Sequence, residues 1–239
     1  MVYKISCAFA LIFAMFISSC IYVGPSLKGN GNVVEEKRTV DQFQDIKASR
    51  GVNVYISQGD EQKVLVNADE NILEVITTKV ENGVLKISTS ERIRNAKSKK
   101  VYVTVVKVDK IEASAGSNIY SETKINNSNL ELTCTAGSNM KLEINTQRLT
   151  ASASAGANVY LNGTANKGDL SASAGSNIKA RDLSVGDCKA KASSGSNVWV
   201  HVTDSFSGKA SSGANVYYSG KANVINVSSS SGGNVRKMD

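Results

Sequence analysis

The sequence predicts an all-β solenoid, a parallel β-helix of stacked laps, and three observations predict it. First, a Gly-x-Asn tripeptide recurs at Gly116-Ser117-Asn118, Gly137-Ser138-Asn139, Gly156-Ala157-Asn158, Gly175-Ser176-Asn177, Gly195-Ser196-Asn197, Gly213-Ala214-Asn215 and Gly232-Gly233-Asn234. Successive glycines lie 21, 19, 19, 20, 18 and 19 residues apart. A period of about 19–20 residues built from short β-type segments fits laps that lie on one another, and most helical repeats are longer. Leucine-rich repeats share the length, but their leucine-dense pattern is missing. Second, with each repeat glycine as position zero, small residues fill position −3 (Cys134, Ala153, Ala172, Ala192, Ala210, Ser229) and position −1 (Ala136, Ala155, Ala174, Ser194, Ser212, Ser231). Polar residues such as Ser152 and Ser154, or Ser171 and Ser173, occupy −4 and −2. This period of two is a strand with one face inward, here with both small files expected inside. Third, position +3 is always apolar: Ile119, Met140, Val159, Ile178, Val198, Val216 and Val235. One wall of the interior is therefore expected to be narrow and the next wider.

Within a lap the tripeptide is the corner. Glycine and asparagine both tolerate left-handed backbone angles. Asn118, Asn139, Asn158, Asn177, Asn197, Asn215 and Asn234, stacked at a strand spacing of ~4.8 Å, can also bond along the pile through their amides. Turn-forming stretches at 162–169 and 181–187 close the rest of the lap.

Ahead of the regular repeats, residues 20–32 with Gly24, Pro25, Gly29 and Gly31 read as a flexible tether, and the solenoid is expected over 33–239, with 33–110 as less regular laps and 111–239 as regular ones. Val52, Val54 and Ile56 alternate in a strand, and Gly51-Val52-Asn53 is an earlier copy of the tripeptide. Gln58-Gly59-Asp60 is a turn, and Lys63 to Val66 a strand. Asp69 suits the N-cap of a short helix from Glu70 to Thr77. Asn82-Gly83 joins two strands tightly. The 65 residues between Gly51 and Gly116 fit three longer laps of one solenoid; a separate N-terminal β-domain is the alternative.

The N-terminus is a targeting signal. Lys4 precedes an apolar run from Ile5 to Ile17, too short to span a bilayer, and small residues lead to Cys20. Residues 1–19 are thus expected to be cleaved. Ile17-Ser18-Ser19-Cys20 resembles a bacterial lipobox, which implies lipid on Cys20; Ile21 is not the aspartate that resembles an inner-membrane retention signal, so the outer membrane is expected, on either its surface or its periplasmic face. Cys134 and Cys188 fall in laps three apart, roughly 14 Å along the axis, beyond disulfide reach, so both are expected as free thiols.

The net charge of +7 is spread along the chain, densest at Lys97, Lys99 and Lys100. Outside the cytoplasm this suits anionic glycans, lipopolysaccharide or surfaces better than nucleic acid, and equally a solvated face. One His and no Cys/His spacing of a zinc site leave no metal or cofactor expected, and the repeats lack the aspartates of calcium-binding rolls.

Residues 52–60 (Val-Asn-Val-Tyr-Ile-Ser-Gln-Gly-Asp), 68–71 (Ala-Asp-Glu-Asn) and 81–87 (Glu-Asn-Gly-Val-Leu-Lys-Ile), with the serial Gly-x-Asn copies, resemble the autotransporter-adhesin head GIN domain family, common in lipoproteins of Bacteroides-like bacteria. The resemblance covers about residue 33 to the C-terminus. It implies a right-handed parallel β-helix, pectin-lyase-like in shape without the catalytic residues, and a role in adhesion.

Position +4 holds Tyr120, Lys141, Tyr160, Lys179, Trp199, Tyr217 and Arg236. If strand parity survives the corner, they form an outward aromatic and cationic column about 30 Å tall, able to meet an extended glycan or to stabilise the sheet through neighbour contacts; if parity slips, the tyrosines turn inward. His201 shares the Trp199 face. The favoured function is a non-enzymatic, lipid-anchored adhesin. The alternatives are a polysaccharide-acting β-helix enzyme or an envelope scaffold. An enzyme would need converging carboxylates, whereas Asp169, Asp182, Asp187 and Asp204 fall at no shared repeat position.

Overall fold

The computed structural model describes residues 26–238. The expected signal segment, Cys20 and the start of the tether lie outside the described residues. The strands are β1 (Ser26–Lys28), β2 (Val33–Arg38), β3 (Asp45–Ala48), β4 (Asn53–Gln58), β5 (Lys63–Asp69), β6 (Ile76–Glu81), β7 (Val84–Thr89), β8 (Arg92–Arg94), β9 (Lys99–Val105) and β10 (Lys110–Ala113). They continue with β11 (Asn118–Ser121), β12 (Ile125–Cys134), β13 (Asn139–Ala153), β14 (Asn158–Ala172), β15 (Asn177–Ala192), β16 (Asn197–Ser211), β17 (Asn215–Ser219), β18 (Asn223–Ser230) and β19 (Asn234–Lys237). From β10 onward every pairing is parallel, lap on lap, so the chain is an all-β solenoid. Asn139, Asn158, Asn177, Asn197 and Asn215 stand in consecutive register.

The interior is one apolar column. Position +3 is fully buried from Ile119 to Val216, as is position −3 from Ala113 to Ala210. The expected difference in side-chain size is present between two buried files: Ala153, Ala172, Ala192 and Ala210 at position −3, and Ile119, Met140, Val159, Ile178 and Val198 at position +3; the file beside the former mixes Leu132 and Leu170 with Ala151 and Ala190. Cys134 and Cys188 are free and buried. They lie in different files, Cys134 with Ala153 and Ala172, Cys188 with Gly168 and Phe206. Burial, aided by Asp169, pushes the Cys188 thiol up to about 12, and burial also raises that of Cys134; both stay protonated at neutral pH.

The structure corrects the corner. Position −1 does not point inward: Ala136, Ala155, Ala174, Ser194, Ser212 and Ser231 are exposed, with φ between 48° and 53°. Each is followed by a left-handed glycine, φ 68–74°. Two consecutive left-handed residues, spanned by a backbone bond such as Ser176 N–H to Ser173 O (3.2 Å), make a tight turn of the type I′ kind. The asparagine follows as the first residue of the next strand, so it is not the corner residue. Position +1 turns inward and is fully buried from Ser117 to Ala214. Where it is serine, the hydroxyl ties laps together: Ser176 Oγ accepts from Ser173 N–H (3.0 Å) and donates to Ala153 O one lap below (2.8 Å).

The N-terminal half differs from expectation in two ways. Gly51 and Gly116 are not separated by three laps. Asn53 pairs directly with Asn118 through β4 and β11, and β3 lies against β10. The chain between them leaves the stack, adds β7 and β9 beneath β3 and β4, and closes that end with antiparallel strands: β2 on β5, β5 on β9, and β6 on β7 through the Asn82-Gly83 turn. Nor is there a helix from Glu70 to Thr77. Only a 3-10 turn spans Glu70–Ile72, and Asp69 makes no side-chain cap to it. The Asp69 carboxylate is committed elsewhere, accepting Gly31 N–H (2.9 Å), Lys97 N–H (3.2 Å) and Ser98 N–H (2.8 Å). The chain must then re-enter the sheet as β6, with Ile72 and Ile76 buried in the end of the core. Ser26–Lys28, within the segment read as a tether, pairs with Arg92–Arg94.

Candidate functional site

Parity survives the corner because the left-handed pair uses two residues and returns +1 and +3 to the inside. Positions +2 and +4 then share one outer wall. Along +2 runs the amide ladder. Each Nδ2 donates to the Oδ1 of the asparagine one lap below: Asn118 to Asn53 (2.8 Å), Asn139 to Asn118 (2.9 Å), Asn158 to Asn139 (3.1 Å), Asn177 to Asn158 (3.0 Å), Asn197 to Asn177 (3.0 Å) and Asn215 to Asn197 (2.9 Å). Asn234 stands in register above Asn215 and is tied by its backbone N–H to Ala214 O (2.9 Å). Asn53, below the regular repeats, is the first member of the series.

Two residues along lies the +4 column. Tyr120, Lys141, Tyr160, Lys179, Trp199, Tyr217 and Arg236 succeed one another in register. All are exposed or half-buried. Tyr55 and Tyr102 extend the column downward, giving nine rungs and roughly 38 Å. Tyr55 could have been found by counting four from Gly51. Tyr102 could not, because no tripeptide precedes it and only the β4–β9 pairing brings it there.

Most aromatic faces are spent inside the column. Tyr102 stacks on Tyr55 (centroids 5.1 Å), Tyr55 on Tyr120 (5.2 Å) and Trp199 on Tyr217 (5.5 Å), the contact expected when rings repeat near the strand spacing. Arg181 lies 5.8 Å from the Trp199 ring. Lys179 Nζ sits 4.7 Å from the Tyr160 ring and donates to its hydroxyl (3.3 Å). Tyr160, at 37% the most open aromatic of the column, has no aromatic neighbour, because lysines occupy the rungs on both sides. Ring edges and cations, rather than broad ring faces, are what this wall presents.

Beside the column is an open groove of about 700 Å³ lined by Lys141, Tyr160, Lys179, Arg181, Asp182 and Trp199, together with Leu161 and Asn162. Lys141 and Asn162 carry it into a second hollow of about 380 Å³ that reaches Tyr55 and Tyr120. Among the described residues none of Lys141, Lys179 and Arg181 is in an ion pair, so the upper groove holds three unpaired cations against Asp182. The lower hollow is more neutral, since it contains Glu122 and Glu143. His201 shares Nδ1 with the Ser219 hydroxyl (3.1 Å). Of the aspartates considered for catalysis, Asp182 lies in the groove opposite Asn162, Asp169 pairs in register with Lys189, and Asp187 accepts from the Ser205 hydroxyl (2.6 Å).

A model of the family described as "Putative auto-transporter adhesin, head GIN domain" matches residues 42–222. No curated protein matches the chain. Among solved structures, a putative adhesin from Bacteroides fragilis superposes with TM-score 0.83 at 20% identity, covering 89% of this chain and all of that one. A putative adhesin from Parabacteroides merdae gives 0.70 at 20% identity, with 90% and 100% covered. A putative lipid binding protein from Parabacteroides distasonis gives 0.68 at 15% identity, with 90% and 100% covered. At these identities the likeness is one of fold.

Proposed function

The chain belongs to the auto-transporter adhesin, head GIN domain family, and from that premise we propose that it is a non-enzymatic adhesin of the bacterial envelope that binds an extended acidic glycan along its +4 column. The observation that carries the reading is the groove where Lys141 and Lys179, two laps apart in the +4 file, and Arg181, beside Lys179 on the same strand, stand without carboxylate partners. A linear polymer with a carboxylate or sulfate on successive sugars meets such a row at repeated points. Tyr160, the most open ring of the column, and the neighbouring ring edges pack against sugar C–H groups. Lipid on Cys20 would hold the molecule at the outer membrane, leaving the solenoid wall to face its ligand.

The test is retention of the purified chain on immobilised acidic and neutral polysaccharides. Trp199→Ala with Tyr160→Ala, and separately Lys179→Glu, are expected to lower retention on the acidic polymer about tenfold or more, with unchanged circular dichroism. Raised salt is expected to weaken parent binding, because the contacts are exposed. Equal retention by parent and variants removes the column as the site.

A further inference from the structure

One corner of the solenoid is unlike the rest. The lap of β3 and β4 crosses its corner in four residues, 49–52, and the next lap does so in 114–117. In the lap beneath, Ile87 lies under Ala48 and Lys100 under Asn53. There the same corner takes twelve residues, 88–99, eight more than the turn needs. The excursion holds β8, which pairs with β1, and Leu27 and Ile93 pack together onto the core. Lys28, Arg92 and Arg94 therefore share the outward face, and all three are exposed. Lys97 follows, also exposed. Lys99 Nζ reaches the corner above, 3.2 Å from where a Cβ on Gly51 would stand. Among the described residues none of these five cations is in an ion pair. Their backbone is held in place. The buried Asp69 carboxylate binds the N–H groups of Gly31, Lys97 and Ser98, Asn71 Nδ2 donates to Lys28 O (2.8 Å), and Arg50 Nη1 donates to Thr89 O (2.8 Å).

We infer that this corner is a seat for anionic lipid headgroups, the phosphates of the membrane in which Cys20 would be anchored; the inference rests on that anchor and deepens it. Chain length favours this occupant. Residues 20–25 lie between the anchor point and β1. At no more than ~3.6 Å per residue they keep the cations within about 22 Å of the lipid, whatever path they take. Basic residues clustered beside an anchor are drawn to the negative surface potential of an anionic leaflet. Charge favours it too. Glu91 is the only carboxylate in 88–99, and Glu70, near Asp69, already accepts from Asn32 Nδ2 (2.9 Å). Glu74, next to the Val75 whose carbonyl accepts Ser90 N–H, leaves the cations in the majority. Shape agrees: three cations on the open face of a two-stranded sheet suit a plane of headgroups better than one enclosed anion. Seated this way, the end sealed by antiparallel strands lies nearest the bilayer and the upper rungs of the +4 column stand farthest from it.

The experiment is co-sedimentation with vesicles of the chain 20–239 carrying Cys20→Ser, which is free of lipid and keeps every described residue. The vesicles are phosphatidylcholine alone or with about one third phosphatidylglycerol. Pelleting with the anionic vesicles only is expected, and it should fall as salt rises. Arg92→Gln with Arg94→Gln is expected to weaken it about tenfold or more, with an unchanged circular dichroism spectrum, since both side chains are exposed. Lys28→Gln alone is expected to act in the same direction, which covers failure of the double variant to fold. Lys191→Gln with Lys209→Gln removes the same charge from exposed positions in upper laps and is expected to change pelleting by less than about twofold, which separates a seat from net charge. Inorganic phosphate is expected to displace the chain no better than chloride at equal ionic strength. Absence of pelleting with anionic vesicles, equal losses from the two double variants, specific displacement by inorganic phosphate, or loss of acidic-polysaccharide retention instead of vesicle pelleting on changing Arg92 and Arg94 would each overturn the inference. The mass of the N-terminal peptide of the membrane-extracted chain tests lipid on Cys20 separately, and polysaccharide retention by Lys179→Glu tests the column separately.

Discussion

At the scale of single residues, two glycines separate conformational strain from steric exclusion. Gly156 sits at a corner with φ +72°, and a Cβ there would meet nothing within 4 Å. Gly156→Ala therefore costs only the left-handed penalty, about 1–2 kcal/mol. Gly163 has φ +111°, and its Cβ would lie 2.0 Å from Ile144 O. Gly163→Ala must displace the lap below and is expected to cost about 3 kcal/mol or more. Urea unfolding of both variants ranks them. Asp69 gives the pH prediction. Burial opposes its ionisation, but the N–H groups of Ser98, Gly31 and Lys97, with the Lys97 charge, outweigh burial and hold its carboxyl below the usual value. A folded pKa below the unfolded one means the unfolded chain binds more protons between the two. This stability is therefore complete above about pH 4 and lost as pH falls through the folded value. Asp69→Asn should cost about 1–3 kcal/mol at pH 7, because an amide leaves N–H donors unmatched. Thermal melts of the variant should also show a shallower loss between pH 5 and 2 than the parent.

At the scale of elements, the amide ladder links laps that backbone bonds already hold. Asn177→Ala removes two rungs and leaves Asn158 Oδ1 and Asn197 Nδ2 without their partners. Asn215→Ala removes one. The first is expected to cost about 1–3 kcal/mol and the second nearer 1; equal costs in denaturant titration would show that the ladder contributes little beyond local structure. The long strands β14 and β15 run through 162–169 and 181–187, where turns were expected, because lap-on-lap pairing continues there despite breaks in the alternation and shifts of register at Tyr160/Asn162 and Ala180/Ser184. The helix expected after Asp69 shows the opposite case: roughly suitable apolar spacing did not prevail once the capping carboxylate was taken by Gly31, Lys97 and Ser98, partners distant in sequence.

For the whole molecule, nearest-neighbour stacking makes laps interchangeable. Deleting residues 156–174 joins Ala155 to Gly175 and preserves the corner, the ladder and both files. Such a chain is expected to fold with a β-type circular dichroism spectrum and somewhat lower stability. Deleting residues 156–165, about half a lap, shifts every later side chain out of its file and is expected to abolish cooperative folding.

The sequence by itself determined the lap length, the inward files at −3 and +3, the separation of the two thiols and the order of the +4 column, because each is a local period repeated down one axis. Only the tertiary structure decided which corner residues are left-handed, since alanine and serine carry no signal for that angle. It also decided that Asn53 and Tyr55 lie beneath Asn118 and Tyr120, that Tyr102 joins them, and that antiparallel strands seal the N-terminal end. Those outcomes depend on where a chain that leaves the stack returns to it, and on contacts between residues far apart in sequence, which no local period encodes.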